Sequence, residues 1–275
     1  MQEHLDELAR LVDTAGAEVV GQLTQQLESP HPGTLIGEGK VEELAALVAG
    51  TGATLVIFDD ELSPMQGANL ERELKVRVMD RAEVILDIFS TRARSHEAKL
   101  QVELAQLEYL LPRLRRMWTH LSRIRAGRAP RLSVSRGGYT NAGKSSVLRG
   151  LSGQHEIVVE DRLFATLDTL TREVDLGDGY RARVTDTVGF IRKLPHHLVE
   201  SFRATLSEID ESNLLFHVVD ASSPDWEGQI EAVDKVLASV CDQPRPTVLV
   251  FNKVDAVREP ETLEQARQPR VPVRH

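Results

Sequence analysis

Hydrophobic and polar positions alternate between two rhythms in the N-terminal part of the chain. Leu5, Leu8, Leu11 and Val12 recur at helical spacing, so Glu3 to Ala15 is expected as an amphipathic helix. Glu18 to Leu23 reads as a strand, and Gly33 to Leu44 as a turn feeding a helix. The continuous run A-T-L-V-I-F, Ala53 to Phe58, reads as a buried strand. Ser63 followed by Gln66 has the spacing of a capping box, which opens another helix. Lys75 to Met79 is a second strand, and a helix begins at Arg81. This βαβα rhythm predicts an α/β domain with a parallel sheet.

The rhythm then becomes purely helical, from about Ser95 to Ile124. Leu100, Leu104, Leu107, Leu111, Leu114 and Met117 form a stripe at mixed three- and four-residue spacing. Pro112 lacks an amide hydrogen and is expected to kink the helix or split it. Ala126 to Arg131, A-G-R-A-P-R, reads as a linker. Beyond it, R-A-R-V-T before Asp186 and T-V-L-V-F before Asn252 read as strands, the second of them buried. The expected organisation is an α/β domain over 1–93, a basic helical arm and linker over 94–131, and a second α/β domain over 132–275.

Composition narrows the class. A chain of 275 residues with 41% hydrophobic and 27% charged residues is an ordinary globular protein. It is long enough for two domains at roughly 150 residues each. No apolar run approaches the roughly 20 residues that span a bilayer. The acidic, amphipathic start M-Q-E-H-L-D-E-L is unlike a secretory signal. The lone Cys241 rules out an intrachain disulfide and suits a reducing, cytoplasmic compartment; it reads as a small core filler.

The net charge of −9 argues against a polyanion partner until its distribution is considered. Between Tyr109 and His155 there is no acidic residue, whereas Arg113, Arg115, Arg116, Arg123, Arg125, Arg128, Arg131, Arg136, Lys144 and Arg149 all fall there. The whole acidic excess lies elsewhere. A solvated helix end would account for part of this, but the complete lack of carboxylates points to RNA.

Three motifs carry the chemistry. Gly138 to Ser145, G-Y-T-N-A-G-K-S, fits the phosphate loop G-x-x-x-x-G-K-[ST]. Its backbone N–H groups curl around phosphates, Lys144 reaches the terminal phosphates, and the Ser145 hydroxyl can bind Mg²⁺. D-T-V-G follows at Asp186 to Gly189. Asp186 would emerge at a strand end beside the Mg²⁺, acting through water. Gly189 has no side chain, so its N–H can approach a γ-phosphate. N-K-V-D stands at Asn252 to Asp255. The Asp255 carboxylate can accept from both N1–H and the 2-amino group of guanine, a donor pair adenine lacks. Each motif alone would be a turn or a loop; in this order, each after a strand-like run, they point to GTP rather than ATP. The expected nucleotide contacts are Gly138, Tyr139, Thr140, Asn141, Ala142, Gly143, Lys144, Ser145 and Ser146, then Asp186, Thr187, Val188 and Gly189, then Asn252, Lys253 and Asp255.

At these residues the chain resembles the HflX family of translation-associated GTPases. The resemblance extends through P-H-P-G-T-L-I-G-E-G-K-V-E-E-L, F-D-D-E-L-S-P-M-Q-G-A-N-L-E, V-M-D-R-A-E-V-I-L-D-I-F, A-K-L-Q-V-E-L-A-Q-L-E-Y-L-L-P-R-L-R-R-M-W-T-H-L, L-F-A-T-L-D and H-V-V-D-A-S. It implies an N-terminal α/β domain, a helical arm and a P-loop GTPase domain. It implies partners, the large ribosomal subunit and ribosomal RNA, and GTP hydrolysis during separation of stalled or idle ribosomes. Thr166 matches the switch threonine that closes on Mg²⁺ and the γ-phosphate, so the implied catalytic set is Lys144, Thr166 and Gly189. Asn141 matches an asparagine that can help hold an activating K⁺ in related GTPases. Phe190 stands where small GTPases carry a water-orienting glutamine, which implies slow intrinsic hydrolysis. Pro195, His196 and His197 fall in the second switch and read as surface or interaction residues.

Against that family the chain reads as a shortened member. Arg123 runs almost at once into I-R-A-G-R-A-P-R, with no glycine-rich segment and no return helix for the arm. The residues before the phosphate loop, R-L-S-V-S-R-G, make a half-buried first strand at best. L-D-T-L-T-R replaces L-D-P-T-T-R, and no S-A-K loop follows N-K-V-D, so the GTPase domain reads as incomplete at its C-terminus. The alternative to a ribosome-associated GTPase is a non-catalytic ribosome- or RNA-binding remnant. A monomer is expected.

Overall fold

The computed structural model describes residues 2–26, 29–114, 137–152, 163–164, 167, 170–177, 180–192, 198, 209, 212–241 and 246–257. It divides into two compact units, Met1–Thr91 with Val102–Gly127, and Arg92–Gln101 with Arg128–His275.

In the first unit, α1 (Gln2–Thr14) turns Leu8, Leu11 and Val12 inward, as its spacing predicts. The strand expected over Glu18 to Leu23 is not formed. These residues pair with no strand, and Val19 and Val20 are exposed. Two adjacent valines raise β-propensity, but propensity without a ladder partner does not make a strand. The order continues with α2 (Glu38–Thr51), β1 (Leu55–Phe58), α3 (Pro64–Leu74), β2 (Arg77–Asp80) and α4 (Arg81–Arg92). β1 and β2 pair in parallel, Leu55 opposite Arg77 through Phe58 opposite Asp80. β1 is half-buried rather than buried, since the described sheet has only this one neighbour for it. The core packs Leu35, Val41, Leu44, Val48, Leu70, Leu74 and Val78. The capping box forms in both directions. The Ser63 hydroxyl accepts from the Gln66 amide at 3.2 Å, and the Ser63 amide donates to Gln66 Oε1 at 2.9 Å.

Helix α5 (His96–Leu114) runs through Pro112 as one element as far as the described residues go. Its buried side is not the leucine stripe. Ala98, Val102, Ala105 and Tyr109 are buried, while Leu104, Leu107 and Leu111 are exposed. The choice of face follows from Tyr109, whose hydroxyl donates to Asp80 at 2.9 Å. Arg113 lies 3.5 Å over the Tyr109 ring and pairs with Asp80 at 2.9 Å. Asp80 also accepts from the Leu62 and Glu83 amides, so a single buried carboxylate caps α4 and anchors α5. Burial and the neighbouring Asp80 and Glu83 charges raise the Tyr109 hydroxyl pKa well above its usual range, so it stays a donor.

In the second unit, a parallel sheet has the order β3–β6–β7: β3 (Gly137–Gly138), β6 (Leu215–Asp220) and β7 (Thr247–Asn252). An antiparallel ribbon joins β4 (Leu170–Gly177) to β5 (Tyr180–Asp186). Helix α6 (Lys144–Ser152) packs Leu148 on Val174 and Val184. Helix α7 (Trp226–Val240) packs Trp226 and Ile230 on Val219, and Trp226 meets Phe251 edge-on at 5.4 Å. β7 is not the buried strand its run of apolar residues suggests. Leu249 and Phe251 pack under α7, but Val248 is exposed, because only β6 pairs with this strand among the described residues.

Candidate functional site

The phosphate loop leaves β3, which pairs with β6 through Gly137 opposite His217 and Gly138 opposite Val218. It turns at Asn141 (φ 60°) and Gly143 (φ 87°), and Lys144 opens α6. The loop's amides therefore lie at a helix N-terminus, where an anion is favoured. A side chain at Gly143 would be strained on its left-handed backbone, and its Cβ, 2.1 Å from Asn252 Nδ2, would displace that side chain.

Lys144 is buried, and its Nζ donates to the Tyr139 carbonyl at 3.1 Å. Burial pushes its ammonium pKa down to about 8, with the Asp186 carboxylate opposing the shift. Asp186 ends β5 fully buried and accepts a hydrogen bond from the Ser145 hydroxyl. Two hard oxygen donors thus meet at the start of α6, a set that fits Mg²⁺, which keeps most of its waters and takes the rest from phosphate. No cluster of three or more metal-ligating side chains occurs among the described residues.

The D-T-V-G segment closes against the loop. The Thr140 amide donates to the Phe190 carbonyl at 2.6 Å, and Tyr139 bridges to Phe190 in parallel. A Cβ on Gly189 would lie 2.6 Å from Thr140 Cα and 2.8 Å from Lys144 Nζ, so only glycine fits. Phe190 and Ile191 are buried, and Phe190 enters the core rather than the phosphate cradle. Thr187 is also buried, and the Thr140 hydroxyl accepts from the Phe164 amide at 2.7 Å. Thr166, Pro195, His196 and His197 lie outside the described residues.

The third motif splits its tasks. Asn252 reaches the phosphate loop, where Nδ2 donates to the Ala142 carbonyl at 3.0 Å. Lys253, at φ 58°, pairs with Asp220 at 2.8 Å, and Asp255 stands exposed on the 3₁₀ turn Val254–Ala256. Asp255 is thus hydrated, as an exposed carboxylate with no buried donor to meet. Asn141 and Ala142 lie in the loop, Ser146 in the first turn of α6, and Val188 in the segment after β5. Sequence reasoning passed over Asp220, which orders its own turn by accepting from the Ser222 amide and hydroxyl at 3.0 and 2.6 Å. A carboxylate directly after the apolar strand L-F-H-V-V is the signal that could have found it. It also passed over Arg192, whose amide donates to the Tyr139 hydroxyl at 3.1 Å and whose guanidinium pairs with Asp225 at the start of α7.

His217 lies buried on β6 beneath the loop. Burial, then the Lys144 charge, push its pKa from 6.5 down to about 4. Asp234 on α7 is 3.8 Å away but 59% exposed, too hydrated to offset this. The folded chain therefore keeps His217 neutral while the unfolded chain takes up a proton near pH 6.5. The resulting stability is complete above about pH 6.5 and is lost as pH falls towards 4, up to about 3 kcal/mol. His217→Gln should flatten that limb of a urea-midpoint profile measured between these pH values; an unchanged slope would place the acid sensitivity elsewhere.

A glycine loop opening a helix, a strand-end carboxylate on its serine and a glycine packed on its lysine define a P-loop nucleotide-binding protein. Residues 2–90 match the family described as GTP-binding GTPase N-terminal, 92–160 the GTP-binding GTPase Middle Region, and 134–253 the 50S ribosome-binding GTPase. The chain is 41% identical over 300 residues to GTPase HflX of Flavobacterium psychrophilum, covering 94% of this chain and 72% of that one. It is 44% identical over 298 residues to GTPase HflX of Caldanaerobacter subterraneus subsp. tengcongensis (92% and 69%), and 41% over 301 residues to that of Escherichia coli (94% and 70%). A solved glycine-to-proline variant of SsGBP shares the fold at a TM-score of 0.53 and 26% identity, covering 94% of this chain and 80% of that one. The chain belongs to the HflX family of GTPases.

Proposed function

We propose that the chain binds GTP in the loop at Gly138–Ser145 and hydrolyses it in association with the large ribosomal subunit, in the splitting or rescue of stalled or idle ribosomes. The observation that carries the reading is the meeting of buried Lys144 and Asp186 with Ser145 and Gly189 around one helix N-terminus. Ser145 and Asp186 would hold Mg²⁺, which when bound neutralises charge on the β- and γ-phosphates. Lys144 exchanges the Tyr139 carbonyl for a phosphate oxygen, and the Gly189 amide approaches the γ-phosphate. Thr166 is the further group assigned to Mg²⁺, and Asn141, in its left-handed turn, is the one assigned to K⁺.

Phe190 lies in the core, so this position supplies no side chain to orient water. Intrinsic hydrolysis is therefore slow, and the ribosome completes the site. The arginines of 115–136, a segment with no carboxylate of its own, are assigned to ribosomal RNA. GTP turnover is measured with and without large ribosomal subunits. Acceleration by the subunit is expected, and equal rates would sink the proposal. Asp255→Asn tests base reading separately: preference should move from guanine towards xanthine nucleotides, and an unchanged preference would mean the base is read elsewhere.

A further inference from the structure

The phosphate-loop pattern G-x-x-x-x-G-K-[ST] leaves the position of Thr140 open, so phosphate binding itself does not require a hydroxyl there. Thr140 is nevertheless buried, at 4% exposure. A buried hydroxyl is expected to have a hydrogen-bond partner, and here the partner lies outside the loop. The Thr140 hydroxyl accepts from the Phe164 amide at 2.7 Å, and both residues are buried. Threonine is β-branched and stiff at χ1, which keeps the oxygen aimed. Phe164 stands in the left-handed region at φ 53°, a conformation that a bulky residue keeps only where its surroundings fix it.

The main chain of the same residue holds a second segment. The Thr140 amide donates to the Phe190 carbonyl at 2.6 Å. Close packing adds to this bond, since a Cβ on Gly189 would stand 2.6 Å from Thr140 Cα. Tyr139, one residue earlier, extends the contact: it bridges to Phe190, and its hydroxyl accepts from the Arg192 amide. Because both bonds meet at one buried residue, displacement of either segment shifts the group that holds the other. We propose, on the reading that this loop binds GTP, that Thr140 is a positioning residue. It couples the segment at Leu163 and Phe164 to the segment from Thr187 to Phe190, so that both respond together to the terminal phosphate.

Thr140→Val keeps the branched shape and removes the acceptor. Amide hydrogen exchange of the full chain, without nucleotide, should speed up about tenfold at Phe164, which loses its acceptor. It should also speed up at Thr140, whose own acceptor lies on the other segment. Acceleration at Phe164 alone overturns the coupling. With Mg²⁺ present, the preference for GTPγS over GDP should fall about fivefold or more. Thr140→Ser returns the oxygen and should restore both readouts; a serine variant no better than valine overturns the role of the hydroxyl. Equal loss of affinity for the two nucleotides also overturns it, since Thr140 would then only support the loop. Thr140→Ala removes the oxygen without placing a methyl at its site and should repeat the valine result, so misfolding of one variant leaves the other decisive. A wild-type chain that binds neither nucleotide overturns the GTP reading instead, and the exchange measurement still decides whether Thr140 joins the two segments.

Discussion

Lys144→Ala is expected to abolish subunit-stimulated GTP turnover, lowering it by about 10²- to 10³-fold or to background. The ammonium is buried between the loop and Gly189, so no solvent cation can take its place. Truncation removes the charge proposed to meet the terminal phosphates and one of the two donors to the Tyr139 carbonyl, which also accepts from the Ala142 amide. Lys144→Arg should not rescue. The Lys144 side chain is buried, and a planar guanidinium is bulkier than the ammonium it would replace and cannot be presented as a point charge. Steady-state phosphate release with saturating GTP checks this, and retention of turnover within about tenfold of wild type would remove Lys144 from the chemistry.

The second large effect lies in the N-terminal unit. Arg81 opens α4 fully buried, pairing with Asp59 at 2.7 Å and with Glu7 on α1. Arg81→Ala should destabilise this unit by about 3–5 kcal/mol, because it removes the buried guanidinium that two partly buried carboxylates share. Amide hydrogen exchange in α1 and α4 should accelerate accordingly. Replacing all three, as Arg81→Met with Glu7→Gln and Asp59→Asn, should recover most of the loss. A deficit under about 1 kcal/mol for Arg81→Ala would show that both acids find other partners.

The sequence was most legible where chemistry is encoded in adjacent residues. The phosphate loop, the D-x-x-G turn and the Ser63–Gln66 capping box need only local spacing, and each stands where that spacing puts it. Reading failed where a distant residue decides. The leucines of α5 are its most apolar stripe, yet Asp80 captures Tyr109 and Arg113 and so turns the other side inward. Val19 and Val20 have strand propensity but no partner. The N-K-V-D motif points to a base reader in Asp255, whereas the contact of Asn252 depends on a carbonyl in the phosphate loop. No pattern within either segment records that pairing.

That pairing ties the two ends of the nucleotide site into one body. Asn252, which ends β7 just before the 3₁₀ turn that carries Asp255, donates to the Ala142 carbonyl, and the missing side chain of Gly143 makes room for it. Displacing the turn would therefore pull on the cradle that grips phosphate. If Asp255 reads the base as proposed, recognition of the base and retention of the phosphates would rise and fall together.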